Sequence, residues 1–332
     1  MNIDNIIKKI SNVVISHKFE NEGEYTRWLW QNEDNARELG INEYGCADAV
    51  NILYTLGEFP NTTESREAHI KALQNLQNSE TGLFTEATHH PIHTTAHCIA
   101  ALELFDAKPK YPINDLMQYA TNDGLVDLLE NLDWKGNPWD MSHRGAGIYA
   151  AMVLSDSVDS KWQDTYFNWL WENADEKTGF WRKDAVLSGE KFVFAHLAGT
   201  FHYLFNHEYA KKPLRYPDKV IDTCLALYEK NETVPNFGQN IGFAEIDWVY
   251  CLNRASRQTP YRFEECKNAL EKFAKGFIEY LDSIDENTHD GFNDLHFLFG
   301  TVCCLAELQQ ALPGMIKSKK PLKLVLDRRP FI

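Results

Sequence analysis

The feature that most limits what this chain can fold into is an alternation between two kinds of helical text. Segments such as Glu64 to Gln77 and Glu264 to Tyr280 carry one apolar stripe and a charged face. Between them lie segments that are apolar nearly all round: His97 to Phe105, Ala146 to Leu154 and Phe297 to Leu305. An amphipathic helix rests one face on solvent, whereas a helix hydrophobic on every side belongs inside. The loops joining the two kinds share a glycine followed by an aromatic or apolar residue. Glu80-Thr81-Gly82-Leu83-Phe84, Lys177-Thr178-Gly179-Phe180-Trp181 and Asp290-Gly291-Phe292 are the clearest. Tyr44-Gly45-Cys46, Gly136-Asn137-Pro138-Trp139 and Gly242-Phe243 repeat the unit less distinctly.

Repetition of a helix pair is the signature of a stacked or closed array. Six pairs predict an all-α (α/α)6 toroid of six inner and six outer helices, in one domain over residues 1–332. Residues 315–332 are expected to form a closing C-terminal tail. The reading predicts at least ten helices, with Ala96 to Leu104, Ala146 to Leu154 and Phe297 to Leu305 buried. The alternatives are an irregular helical array or an open solenoid. Strand text is scarce, and Leu322 to Leu326 is the best candidate for it.

Composition narrows the function classes. With a formal charge of −15 over 332 residues, the chain lacks the clustered cations that carry affinity for nucleic-acid phosphates. No run of 18 apolar residues and no signal-peptide pattern is found, so no membrane association is expected and a cytoplasmic location is. Seven cysteines, none in a CxxC pair, read as reduced thiols within helices rather than as a disulfide framework.

In a toroid the glycine loops bring the first turns of the inner helices to one rim of a central cavity, so polar residues there are the candidates. His89-His90-Pro91-Ile92-His93-Thr94-Thr95-Ala96-His97 places Pro91 at a first helical position. His93 and His97 share a face, with His90 three before His93; these three suit substrate binding or acid–base work, and their spacing leaves a zinc or other divalent site open. Trp139-Asp140-Met141-Ser142-His143-Arg144 offers Trp139 for stacking, Asp140 and His143 for catalysis, and Arg144 for a carboxylate or phosphate. Asp140 or Ser142 also suits the helix cap. Gly145 and Gly147 suggest close helix approach. Glu245, Asp247, Asp294 and His296 open two apolar helices and complete the catalytic candidates, with Trp248 beside them for binding. Asp48 stands isolated among Ala47, Ala49 and Val50, an expensive position unless it is paired, and it joins the substrate-binding candidates. Lys191, His196 and His202 read as mainly structural, and the Arg254, Arg257 and Arg262 cluster as complementing a helix C-terminus.

Leu73-Gln74-Asn75-Leu76-Gln77, followed by Gly82-Leu83-Phe84 and His93-Thr94-Thr95-Ala96, resembles the repeat of protein prenyltransferase β subunits and squalene-cyclase-type enzymes. The resemblance covers most of the chain as architecture and two or three repeats residue by residue. It implies the toroid. That family holds zinc with an Asp, a Cys two residues later, and a His in the last inner helix. Asp247 and His296 fall at two of these positions, but Val249 stands where the Cys belongs, and Cys251 comes four after Asp247. The Asp-x-Asp-Asp motif of the cyclases and the Asp-rich magnesium motif of terpene synthases are absent. Other (α/α)6 barrels are glycoside hydrolases, uronyl hydrolases, polysaccharide lyases and sugar epimerases, and the site composition is similar to theirs. The expectation is therefore an enzyme performing general acid–base chemistry on a carbohydrate, a small molecule or an oligosaccharide, with no cofactor and no assigned metal ligands. An isoprenoid-handling enzyme and a non-catalytic binding module are the alternatives.

Overall fold

A computed structural model describes residues 1–187 and 192–331; Lys191, named above, lies outside the described residues. The chain is all-helical, and isolated bridges are the only β-type pairings among the described residues. The helices in chain order are α1 (Asp4–Ser16), α2 (Glu43–Leu56), α3 (Thr63–Asn75), α4 (Pro91–Glu103), a 3-10 turn (Asn114–Tyr119), α5 (Asn122–Glu130), α6 (Pro138–Leu154) and α7 (Ser160–Asn173). They continue with α8 (Val193–Ala210), α9 (Pro217–Glu229), α10 (Ala244–Ser256), α11 (Phe263–Ser283), the short α12 (Asp290–Asn293), α13 (Leu295–Ala311) and the short α14 (Val325–Arg328).

Local chemistry sets many of the helix starts. Asn42, Thr62, Thr121, Asp159 and Asp294 each accept a first-turn N–H with the side chain, satisfying donors the helix itself cannot. At two of the three clearest repeat loops, Gly82 and Gly179 sit at φ +76, a left-handed conformation in which a Cβ is strained, whereas Gly291 lies inside the short α12. The less distinct markers do not share it, and Gly45 lies inside α2 rather than ahead of it.

The apolar helices form a continuous cycle. α2 packs on α4, α4 on α6, α6 on α8, α8 on α10, α10 on α13, and α13 returns to α2. The amphipathic helices lie against it: α1 on α2, α3 on α2 and α4, α9 on α10, and α11 on α10 and α13. α7 is tied in through Tyr166, whose hydroxyl donates to Gly145 O of α6 and accepts from Asn206 of α8. Gly145 and Gly147 serve the close approach expected of them, because a Cβ on Gly145 would collide with the Tyr203 hydroxyl and one on Gly147 would crowd Ile92.

Ala96 to Leu102 and Ala146 to Met152 are buried without a break, but Phe297 is 43% exposed at the start of α13. Leu322 to Leu326 is not a strand. Leu322 N donates to the Gln309 side chain and Lys323 N to Thr55 O, so the backbone bonds to helices instead of to a neighbouring strand. The tail pairs Lys317 with the N-terminus through Ile3 N and Met1 O, then carries Arg329 and Phe331 into full burial.

Candidate functional site

Twelve histidines occur in the chain, and half of them converge on one region. Asp48 of α2 is the centre of the first group. It is fully buried, and its two oxygens accept from His97 Nε2 of α4 at 2.8 Å and His296 Nδ1 of α13 at 3.1 Å. Burial alone would raise the Asp48 carboxyl, but the two imidazoles offset this and hold it below the usual carboxylate range. Burial also pushes both histidines down, His296 to about 4, so each is neutral at pH 7 and donates an N–H to an ionised Asp48. With Nδ1 of His296 committed to Asp48, its Nε2 is the nitrogen left for other partners.

The second group draws on three consecutive members of the cycle: His93 (α4), His143 (α6) and His202 (α8). One nitrogen of each lies within 4.8 Å of the others. Ring centroids are 4.4 Å apart for His93 and His143 and 4.8 Å for His143 and His202. His93 Nδ1 is 2.6 Å from the Tyr44 hydroxyl, and His202 Nδ1 is 3.0 Å from Ala198 O. Desolvation, reinforced by the neighbouring imidazoles, pushes His93 and His143 well below the ordinary histidine value; burial brings His202 to about 3.

A cavity of about 160 Å³ opens between the groups, lined by His89, His93, His143, His202 and His296 and walled by Trp139, Phe243 and Phe297. That is smaller than the usual range for whole-ligand pockets, so it accommodates the reacting end of a molecule. Phe331 of the tail lies against the cluster, with ring centroids 5.0 Å from His93 and 6.1 Å from His202.

A polar frame holds the rim. Arg27 forms a two-pronged pair with Asp294 at 2.8 and 3.0 Å, donates to Thr88, and stacks 4.3 Å over Trp28. Trp28 Nε1 also donates to Asp294, which in turn caps α13 by accepting from His296 N at 2.9 Å. Glu86 accepts from His89 Nδ1 at 2.9 Å and lies near Arg27. Burial opposes its ionisation, but the His89 and Thr88 hydrogen bonds and the Arg27 charge hold it at about 2. Tyr44 fills the centre, stacked on His89 and His97 and edge-on to His296.

The residues singled out from sequence separate into three groups. Asp48, His93, His97, Trp139, His143 and His296 come together at or directly behind the cavity. Asp294 is beside it but fully engaged by Arg27, Trp28 and the helix end. The others do not line it. His90 accepts from Ile92 N and so caps α4, as its position before Pro91 requires. Arg144 sits near His90, with its guanidinium against Met141. Asp140 is exposed, 3.7 Å from His143 Nδ1. Trp248 is buried on the other side of α10, donating to Cys224 O and packed on Tyr228 and Phe273. Asp247 joins neither histidine cluster, and Glu245 turns to Gly238 N. Neither carboxylate bonds to His296: both Asp247 oxygens lack a hydrogen-bond partner among the described residues, and the two residues, two apart on α10, do not share a face.

Tyr44, His89, His202, Arg27 and Glu86 were not selected from the sequence. His89 sits in the histidine run and was legible there. His202 read as a structural group, and Arg27 lies in a loop with no periodic pattern to mark it. No family model, curated protein or solved structure matches the chain. No described helix is long and apolar enough to cross a membrane.

Proposed function

We propose that the chain is an (α/α)6 toroid enzyme whose central cavity removes a proton from a carbohydrate-type substrate, in the manner of a lyase or an epimerase. The closed cycle of six apolar helices supports the toroid, and the observation that carries the chemistry is the Asp48–His296 pair. A neutral imidazole fixed through Nδ1–H by a buried carboxylate presents Nε2 as a base, oriented and with its tautomer chosen. Trp139, Phe243 and Phe297 supply flat apolar faces for a sugar ring. The cavity is lined by imidazoles and aromatic rings, without a carboxylate among its described lining residues. Glycoside hydrolysis by two carboxylates needs a pair flanking the bond, about 5–9.5 Å apart, so the proton-transfer branch is favoured over the hydrolase branch.

The test is a panel of sugars, sugar acids and their oligomers in deuterated water, followed by NMR. The expected result is deuterium incorporation, or an elimination product, at a carbon next to a carbonyl or carboxylate. His296→Gln should lower that rate by at least about 100-fold with little change in melting temperature, and Asp48→Asn should lower it as well. Full activity in both variants, or glycoside hydrolysis that needs Asp140, would overturn the reading.

A further inference from the structure

The two histidine groups differ in a way that points to different tasks. In the Asp48 group both imidazoles share one buried carboxylate, although His97 Nδ1 has no partner among the described residues. In the His93–His143–His202 group three imidazoles face one another with no carboxylate between them. Neutral imidazoles brought within 4.8 Å gain little from each other, and a buried ring nitrogen without a partner is costly. His143 Nδ1 is enclosed and hydrogen-bonds to no described residue. Such a trio makes physical sense around a cation.

We propose that His93, His143 and His202 bind one divalent transition-metal ion of the zinc type, with a coordination position open to the cavity. Imidazole is a borderline-soft donor that suits zinc, cobalt and nickel and serves magnesium or calcium poorly. Three protein ligands plus one vacant position is the arrangement of catalytic rather than structural zinc. The surroundings fit. Metal-bound histidines usually donate the second ring nitrogen to an oxygen acceptor. His202 Nδ1 has Ala198 O at 3.0 Å, and His93 Nδ1 has the Tyr44 oxygen at 2.6 Å. Both contacts leave Nε2 for the ion. Tetrahedral zinc at about 2.0–2.1 Å from nitrogen sets its ligands roughly 3.4 Å apart, a closure within reach of side-chain rotation. All three residues line the cavity, so an oxygen of a bound molecule can reach the fourth position. The three donors come from neighbouring helices of the cycle, which fixes their separation through the packing of α4, α6 and α8. This site differs from the position of the prenyltransferase zinc, which would require Asp247, and it does not depend on the role given to His296.

The experiment uses untagged full-length protein stripped with chelator, then titrated with Zn²⁺ by calorimetry and with Co²⁺ by visible absorption. The expected result is one equivalent bound, with the intense ligand-field bands of tetrahedral cobalt. His143→Gln, at the least buried of the three, should fold normally and weaken binding by at least about 100-fold. Asp48→Asn and His296→Gln should leave stoichiometry and the cobalt spectrum in place. Failure to bind either ion overturns the proposal, as does binding that survives His143→Gln. Binding lost in Asp48→Asn or His296→Gln but kept in His143→Gln would assign the ion to the other group and equally overturn it.

Discussion

Asp247 illustrates what a single buried carboxyl costs. It is fully enclosed in α10, both oxygens lack a hydrogen-bond partner among the described residues, and Glu245 is the acidic neighbour on its own helix. Burial, and then the Glu245 charge, raise its carboxyl well above the ordinary value near 3.8. Between that value and the raised one, the folded state holds a proton that the unfolded state has released, so stability falls as pH rises. Asp247→Asn removes the titration. Denaturant melts from pH 5 to 8 should show the wild type losing stability across this range and the variant losing less, with the variant the more stable at pH 8. An identical slope in both proteins would show that Asp247 is ionised and paired in solution. Asp48 is the contrasting residue: equally buried and equally conspicuous in sequence, but supplied with two imidazole donors.

Where helices meet, Arg254 does more than complement the end of α10. It is 1% exposed and makes a two-pronged bond to Glu307 of α13 at 2.7 and 2.8 Å, with further contacts to Glu208 of α8 and Asp327 of α14. Its guanidinium also lies over the Tyr250 ring at 4.6 Å. Replacing one partner strands the other in the interior, and Arg254→Met should cost about 3–5 kcal/mol in chemical denaturation. Arg254→Met with Glu307→Leu should recover a large part, because an apolar pair needs no desolvation. The sequence carries the elements well and their partners poorly, for a physical reason. Helical periodicity and caps are local, so the alternation of α3 and α4, or the start of α4 at Pro91, can be read from a dozen residues. Arg254 seemed a helix-end cation because its acids lie 46 to 73 residues away. His202 looked structural because its partners belong to α4 and α6. Gly145 and Gly147 were legible because a missing side chain has one main use inside an apolar helix.

At the scale of the whole molecule, the ends of the chain are joined by a clasp. Arg27 and Trp28 hold Asp294, and Leu295 N donates to Arg27 O, linking positions 266 to 268 residues apart. Asp294→Asn keeps a side chain able to cap α13 but removes the charge that neutralises buried Arg27. We expect a loss of roughly 3 kcal/mol in guanidinium melts, with tryptophan fluorescence and circular dichroism still changing together. Separated transitions would mean that the first and last helices are not part of one cooperative unit. The distance between Asp48 and His296 along the chain has a further consequence, in time rather than in space. They are 248 positions apart, and at about 5–20 residues per second a ribosome needs roughly 10–50 s to make the second after the first. Throughout that interval the nascent chain exposes an apolar α2 bearing a carboxylate with one imidazole partner at most. The Asp48–His97–His296 group is therefore completed only after α13 has been made, and α2 waits for its second imidazole partner through that interval.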